Sequence, residues 1–193
     1  PLITTGGLDT VAARVPSHPV ALALIETSGR PIAAPSANRS GRPSPTRAEH
    51  VREDLDGRIE LILDGGPTPV GVESTVLDMT TEPPMLLRPG GVTLEELRDC
   101  LGEVAVLKGD DEEAAGRSPG LRYRHYAPRA QVIVVERGTG EVAVLPWIEA
   151  GRPVALMAQR PVALVRPRLE VRTMPGDLGA YARDLFAVLR ELD

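Results

Sequence analysis

Residues 34–46 read APSANRSGRPSPT, a stretch with four hydroxyl side chains and three prolines. It follows a predicted strand, PIAAPSA at 31–37, and it ends at Thr46, which forms a capping-box pattern with Glu49 at the start of a predicted helix. Open α/β sheets bind ligands outside the carboxyl ends of their strands, at such strand-to-helix loops. The stretch therefore predicts an α/β fold with a stiff loop rich in hydrogen-bond donors. A rigid connection that binds nothing is the alternative interpretation.

The hydrophobic pattern around this loop predicts alternating strands and helices. Further strands are predicted at DTVAARVP (9–16), IELILD (59–64), ESTVLDM (73–79) and MLLR (85–88). Helices are predicted from Ser17 to Gly29, from Thr46 to Gly57, and from Thr93, which pairs with Glu96 in a second capping box, to Gly102. This alternation predicts an α/β layered domain.

The chain is predicted to form two domains. An acidic stretch poor in apolar residues, KGDDEEAAGRSPG at 108–120, is typical of an interdomain linker. We predict a first domain over 1–107, a linker over 108–129 and a smaller α/β domain over 130–193. The second contains predicted strands QVIVV (131–135), PVALMA (153–158) and LEVRTM (169–174), and a helix over 177–193.

Composition excludes several classes of protein. Lys108, the one lysine among 22 basic residues, is followed by Gly-Asp, so the chain has no Walker-type phosphate-binding loop. Cys100 is the one cysteine and cannot form an intrachain disulfide, and the histidines form no zinc-binding motif. No apolar run reaches the length of a membrane span, so we expect a cytoplasmic protein without a membrane partner.

Three positions could supply charge or a hydroxyl beside the loop. Arg14 ends the first predicted strand, Arg88 precedes a glycine turn in LLRPGG, and Ser74 lies in GVESTV. Arginine suits the recognition of phosphate and carboxylate, although a strand-end arginine is also a common surface charge. Ser74 lacks the second glycine of a nucleophile elbow.

The segment SPGLRYRHYAP (118–128) combines two tyrosines with two arginines and His125. Such side chains offer stacking surfaces and phosphate donors. The alternative is a linker that packs its aromatic side chains onto a domain surface.

These motifs, together and in this order, resemble the threonylcarbamoyl-AMP synthases in their two-domain form. The resemblance extends over nearly the whole chain and includes DTVAARVPSHP, PIAAPSANRSGRPSPT, DGG, GVESTVLD, LLRPGGVT and SPGLRYRHYAP. It implies a YrdC-like twisted open-sheet domain joined by a linker to a smaller Rossmann-like α/β domain. Members of the family carry a segment with lysines and an arginine ahead of Pro1. We therefore expect a chain that is truncated at its N-terminus, incomplete in its C-terminal domain and inactive by itself.

The resemblance implies a nucleotidyltransferase that joins L-threonine, bicarbonate and ATP into threonylcarbamoyl-AMP, with release of pyrophosphate. Magnesium would accompany ATP, and a downstream tRNA threonylcarbamoyl transferase would use the product. No covalent intermediate and no metal-ligating residue are implied. The implied ATP contacts are Thr10, Ala34, Ser44, Arg88, Tyr123 and Tyr126, the two tyrosines belonging to a lid. The implied threonine contacts are Arg14, Ser36 and Ser74.

Two other functions stay open at this point. An RNA-binding module without catalysis is disfavoured by the net charge of −5 and the 3% of aromatic residues. A carbamoyltransferase of the hydrogenase-maturation type is disfavoured by the SPGLRYRHYAP segment. Direct contact with tRNA is left open.

Overall fold

The computed structural model describes residues 2–5, 7–107 and 127–193. It contains two small sheets, one in the first unit (residues up to 107) and one in the second unit (127–193). The predicted linker and its tyrosines fall almost entirely outside the described residues. Among the described residues, no helix has the length and apolarity to cross a membrane.

The sheet of the first unit has three strands. Strand β1 (Val76–Asp78) is antiparallel to β2 (Met85–Arg88), and β2 is parallel to β3 (Ala105–Val106). The pairing shifts between Val76 and Leu77, so that Val76 lies opposite Arg88. Buried Leu86, Leu87 and Val104 form the core on this sheet. The strand predicted at MLLR is confirmed, and the strand predicted at ESTVLDM forms only over Val76–Asp78.

Helix α3 (Leu94–Leu101) connects β2 to β3 and begins as predicted. The Glu96 backbone N–H donates to Thr93 Oγ1 at 3.2 Å, and the Thr93 backbone N–H donates to Glu96 Oε2 at 2.8 Å. Gly102 ends the helix with φ of 82°. The capping box is therefore confirmed, because both reciprocal bonds of the motif are present. Cys100 lies on this helix and is exposed.

Helices α1 (Pro19–Ser28) and α2 (Ala48–Leu55) form where predicted but begin differently. The N-cap of α1 is His18, whose Nδ1 accepts from the Val20 backbone N–H at 3.3 Å, so the predicted Ser17 cap is wrong. The N-cap of α2 is Arg47, which makes no capping bond through its side chain. The box predicted for Thr46 and Glu49 is wrong because the helix starts one residue later. The third helical residue is then His50, whose Nδ1 accepts from the Thr46 backbone N–H at 3.2 Å.

Four predicted strands are absent from the described structure, namely those at 9–16, 31–37, 59–64 and 131–135. A strand needs a hydrogen-bonded neighbour, and the described residues place no such neighbour beside these segments. Their apolar side chains are correspondingly open to solvent: Val15 is 87% exposed, Leu61 73% and Val134 93%. The apolar pattern of these segments was therefore not sufficient to make them strands.

The second unit is built on two parallel strands. Strands β4 (Val154–Ala158) and β5 (Leu169–Thr173) pair over five residues, as the PVALMA and LEVRTM patterns predict. The short helices α4 (Gly140–Ala143) and α5 (Leu145–Glu149) precede them, and α6 (Leu178–Glu191) follows. Asp177 caps α6 by accepting from the Ala180 backbone N–H at 2.7 Å. The predicted C-terminal helix is confirmed.

Candidate functional site

The loop at 38–46 is held in a compact turn by its own side chains. Asn38 Nδ2 donates to the carbonyls of Arg39 and Arg42 at 2.9 and 3.1 Å. The loop is also bonded to a later segment, since the Thr68 backbone N–H donates to the Thr46 carbonyl at 2.9 Å. Pro43 is fully buried, so the centre of the loop faces the protein interior.

Ser44 connects this loop to the segment GVEST. Its Oγ donates to Oε1 of Glu73. The prolines at 43 and 45 fix the backbone on both sides of Ser44, which limits the positions that its hydroxyl can reach. The bond therefore places the predicted ATP contact Ser44 beside Glu73, the residue that precedes the predicted threonine contact Ser74.

Arg88, at the end of β2, reaches the same segment. Its Nε and Nη2 donate to the Ser74 carbonyl at 3.1 and 2.7 Å, and Nη2 lies 3.4 Å from Ser74 Oγ. The guanidinium is also 3.9 Å from Glu73 Oε2, and its side chain is 11% exposed. An arginine held in this way presents a fixed positive charge to an anion.

The glycine turn after Arg88 packs directly against GVEST. The Gly91 backbone N–H donates to the Glu73 carbonyl at 3.1 Å, and Thr75 Oγ1 donates to the Val92 carbonyl at 2.6 Å. A Cβ on Gly90 would lie 2.3 Å from the Glu73 carbonyl oxygen. Only glycine allows the two backbones to approach this closely.

Ser44, Glu73, Ser74 and Arg88 thus form one group, here called the central cluster. Three of its members are predicted site residues, and Glu73 is the one that the sequence reasoning missed. Its position beside Ser74 in a motif already singled out was the available signal. The cluster combines one carboxylate, one guanidinium and two hydroxyls, a set that suits a ligand carrying both anionic and hydrogen-bonding groups.

The remaining predicted site residues lie apart from these bonds. Arg14, Ala34 and Ser36 are exposed and Thr10 is half-buried, and among the described residues none of their side chains bonds to the central cluster. Tyr123 and Tyr126 lie outside the described residues. The Ala127 backbone N–H, just beyond them, donates to the Gly41 carbonyl at 3.1 Å. The residue that follows the two tyrosines therefore adjoins the loop.

A second group of charges is centred on Asp54, which contacts residues of the loop. Its carboxylate is fully buried and pairs with Arg42, with the Arg39 backbone N–H at 3.4 Å, and with Arg190 Nη2 at 2.6 Å. Burial by itself would raise the pKa of Asp54, but the hydrogen bond and charge of Arg190 and the charge of Arg42 hold it below its usual value. The carboxylate is therefore ionised at neutral pH.

His50 lies in the same region, on α2. Burial lowers the pKa of its imidazole, and the charge of Arg190 lowers it further. The neutral ring accepts the Thr46 backbone N–H, which fixes the end of the loop.

Known proteins match the chain over its whole length. Residues 1–90 match the family model Sua5_yciO_yrdC, described as "Telomere recombination", and residues 92–193 match "Threonylcarbamoyl-AMP synthase, C-terminal domain". Threonylcarbamoyl-AMP synthases of Pyrococcus abyssi and Bacillus subtilis are 48% and 47% identical to it. These alignments include 100% and 98% of this chain, and 58% and 56% of the relatives. The chain spans about half the length of the curated relatives it matches.

A solved structure is similar throughout the chain. The crystal structure of P. abyssi Sua5 complexed with L-threonine matches with a TM-score of 0.90 and 48% identity, over 100% of this chain and 58% of that one. This similarity confirms the predicted α/β architecture with a YrdC-like and a C-terminal unit. Since the two family models follow one another along the chain, and since these relatives align with nearly all of it, the chain belongs to the threonylcarbamoyl-AMP synthase family.

Proposed function

We propose that this chain forms part of an L-threonylcarbamoyladenylate synthase, a nucleotidyltransferase that acts on L-threonine, bicarbonate and ATP. Family membership supports the activity, and the related P. abyssi Sua5 has been crystallised in complex with L-threonine. The observation that carries the proposal for this chain is the bonding of Arg88 to Ser74. This contact places the Arg88 guanidinium, which can bind an anion, beside the Ser74 hydroxyl.

This contact suits the reaction because the two substrates must meet. In the proposed arrangement Ser74 contacts threonine and Arg88 contacts the phosphates of ATP. The Ser74 carbonyl and Arg88 Nη2 are 2.7 Å apart, so ligands bound to these two residues would be neighbours. Ser44, which shares Glu73 with this pair, would contact the nucleotide. Thr10 and Ala34 would add contacts to ATP, and Arg14 and Ser36 would add contacts to threonine.

The reaction requires one phosphoryl substitution. Bicarbonate takes up a proton and loses water to give carbon dioxide, to which the threonine amine adds, and the proton that the nitrogen then loses replaces the one taken up. A carbamate oxygen then attacks the α-phosphorus of ATP. The new oxygen–phosphorus bond forms as the bond from the α-phosphorus to the bridging oxygen breaks, and pyrophosphate leaves with the electron pair. The protein would align the reactants and stabilise the charge that develops on the phosphate oxygens. Arg88 is suited to the second task because its guanidinium is already oriented.

Magnesium would enter as part of the ATP substrate. Among the described residues no three His, Cys, Asp or Glu side chains are grouped to hold a metal ion. The one carboxylate of the central cluster, Glu73, already accepts from Ser44. Magnesium commonly binds through substrate phosphates and water with few protein carboxylates. The product would pass to a tRNA threonylcarbamoyl transferase.

Pyrophosphate release from the intact protein tests this function. ATP, magnesium and bicarbonate are supplied with and without L-threonine, and Arg88→Ala serves as the impaired variant. We expect release that depends on threonine and that falls in the variant. Release that is independent of threonine, or equal in both proteins, would contradict the proposal.

A further inference from the structure

Helix α6 of the second unit extends a buried arginine into the first unit. The Arg190 side chain is 3% exposed, although it lies in the last turn of a C-terminal helix. Its Nε and Nη2 donate to the Pro43 carbonyl at 3.0 and 2.6 Å, and Nη2 also contacts Asp54 Oδ2 at 2.6 Å. Burying a guanidinium is costly, and the bonds of Nε and Nη2 to a carboxylate and a carbonyl offset part of that cost, while Nη1 has no hydrogen-bond partner among the described residues.

The carbonyl that Arg190 holds is one residue away from the central cluster. Pro43 precedes Ser44, whose Oγ donates to Glu73. Proline restricts the backbone torsions at positions 43 and 45, so the loop can relax little between the Pro43 carbonyl and the Ser44 hydroxyl. A displacement of that carbonyl would therefore move Ser44.

Asp54 joins the rest of the loop to the same arginine. Its carboxylate accepts from the Arg42 guanidinium and from the Arg39 backbone N–H, which are both loop groups. Arg39 Nε in turn donates to the Asp54 carbonyl at 3.0 Å. Arg190 thus completes a network around the buried Asp54 carboxylate that contacts the loop at positions 39, 42 and 43.

Helix α6 also contacts the segment GVEST, which contains Glu73 and Ser74 of the central cluster. A Cβ on Gly71 would lie 2.1 Å from the Arg183 carbonyl oxygen, so the helix backbone is packed directly against GVEST. Gly71 is buried and has φ of 78°. The same helix therefore supports Ser44 through the loop and Ser74 through the segment that precedes it.

We propose that α6 is a positioning element of the substrate site, with Arg190 as the positioning residue that sets the place of Ser44. This proposal rests on the proposed function, and it assigns a task in nucleotide binding to the second unit. Because Ser44 is the proposed ATP contact, loss of Arg190 should affect ATP more than threonine.

The kinetic test compares Arg190→Met with Arg183→Met in the intact protein. Both variants remove an arginine from α6, but the Arg183 side chain is 49% exposed and pairs with its neighbour Asp184. We expect Arg190→Met to raise the KM for ATP about tenfold or more, with a smaller change in the KM for threonine. Arg190→Lys should lie between wild type and Arg190→Met, because an ammonium group cannot reproduce the planar fork. Arg183→Met should leave the KM for ATP unchanged. Equal KM values in Arg190→Met and Arg183→Met would overturn the proposal, as would an equal increase for both substrates.

Other measurements are needed if Arg190→Met does not fold or if the wild-type protein shows no activity. Should Arg190→Met fail to fold, Asp54→Asn and Arg190→Lys are assayed instead, and an unchanged KM for ATP in both would overturn the proposal. Should the wild-type protein release no pyrophosphate with threonine, the proposed function fails. Hydrogen exchange in residues 38–46 then decides whether Arg190 holds the loop: we expect faster exchange in Arg190→Lys than in Arg183→Met, and equal exchange would refute it.

Discussion

The carboxylates of Asp54 and Glu73 both face an arginine, yet their surroundings differ. Asp54 is fully buried with Arg190 3% exposed, whereas the Glu73 side chain is 22% exposed and 3.9 Å from Arg88. The Asp54 carboxylate accepts hydrogen bonds from three loop or helix donors, whereas the Glu73 carboxylate accepts one, from Ser44, among the described residues. A buried pair whose carboxylate accepts three hydrogen bonds is expected to hold structure, and a more exposed pair can change its partners when a ligand binds.

Asp54→Ala should produce the largest effect on stability. Removing the carboxylate leaves Arg190 buried without its anion, which costs about 3–5 kcal/mol. Urea denaturation followed by circular dichroism would measure the free energy of unfolding. Glu73→Ala is the matched control, and it should cost about 1 kcal/mol or less. Equal losses of unfolding free energy in the two variants would contradict the proposed difference between the two ion pairs.

Arg88→Ala should have the largest effect on activity. Loss of one preoriented group that stabilises developing charge lowers a rate by about 100-fold or more. The rate of pyrophosphate release at saturating substrates measures this effect. Arg98→Ala, which removes an exposed arginine from α3 of the same unit, should retain the wild-type rate. A similar decrease of the rate in the two variants would mean that the loss of activity is not specific to Arg88.

Arg14→Ala tests a predicted site residue that belongs to neither pair. The side chain is exposed, and its proposed partner is the threonine carboxylate. Loss of a charge-assisted bond should weaken threonine binding by about 1.5–3 kcal/mol, with a much smaller change for ATP. Titration calorimetry with each ligand measures both affinities. Equal weakening for the two ligands would contradict the assignment.

Gly71→Ala should disturb the packing of α6 against GVEST. The added Cβ would lie 2.1 Å from the Arg183 carbonyl oxygen, and overpacking of this kind costs about 1–3 kcal/mol. Gly57→Ala is a close control, because Gly57 has φ of 68° but no atom within 4 Å of the added Cβ. Its cost should be the backbone strain alone, about 1 kcal/mol. Equal unfolding free energies for the two variants would show that α6 does not press on GVEST.

The mildest expected effect is a loss of stability in acid. The pKa of Asp54 is lower in the folded protein than its ordinary value, so its stabilisation is complete above the unfolded pKa of about 3.9. It is lost as the pH falls through the folded pKa. Unfolding free energies measured from neutral pH into this range should decrease less steeply in Asp54→Asn than in wild type. Parallel curves would assign the acid sensitivity to other groups.

Local patterns in the sequence predicted those elements whose stabilising contacts are also local. The capping box of Thr93 and Glu96, the strand MLLR and the helix that Asp177 caps all formed where they were predicted. A cap needs only residues three positions apart, so a short stretch of sequence is enough to specify it. The Thr46 prediction failed by one residue because His50 supplies the partner for the Thr46 N–H.

Longer-range partners decided the remaining elements. The segments at 9–16, 31–37, 59–64 and 131–135 have strand-like sequences, but a sequence pattern does not supply the neighbouring strand that a ladder requires. Glu73 was missed for a related reason. Its importance depends on Ser44 and Arg88, which come from two other parts of the chain.

By itself, the sequence determined the α/β class, the candidate residues Ser44, Ser74 and Arg88, and the likeness to the threonylcarbamoyl-AMP synthases. The tertiary structure alone decided that Ser44 and Arg88 both approach Glu73, that Arg88 also bonds to Ser74, and that Arg190 donates to the Pro43 carbonyl, 147 residues away in the sequence. The physical reason is that periodicity and capping act within a few residues. A buried ion pair depends instead on which distant surfaces exclude water together.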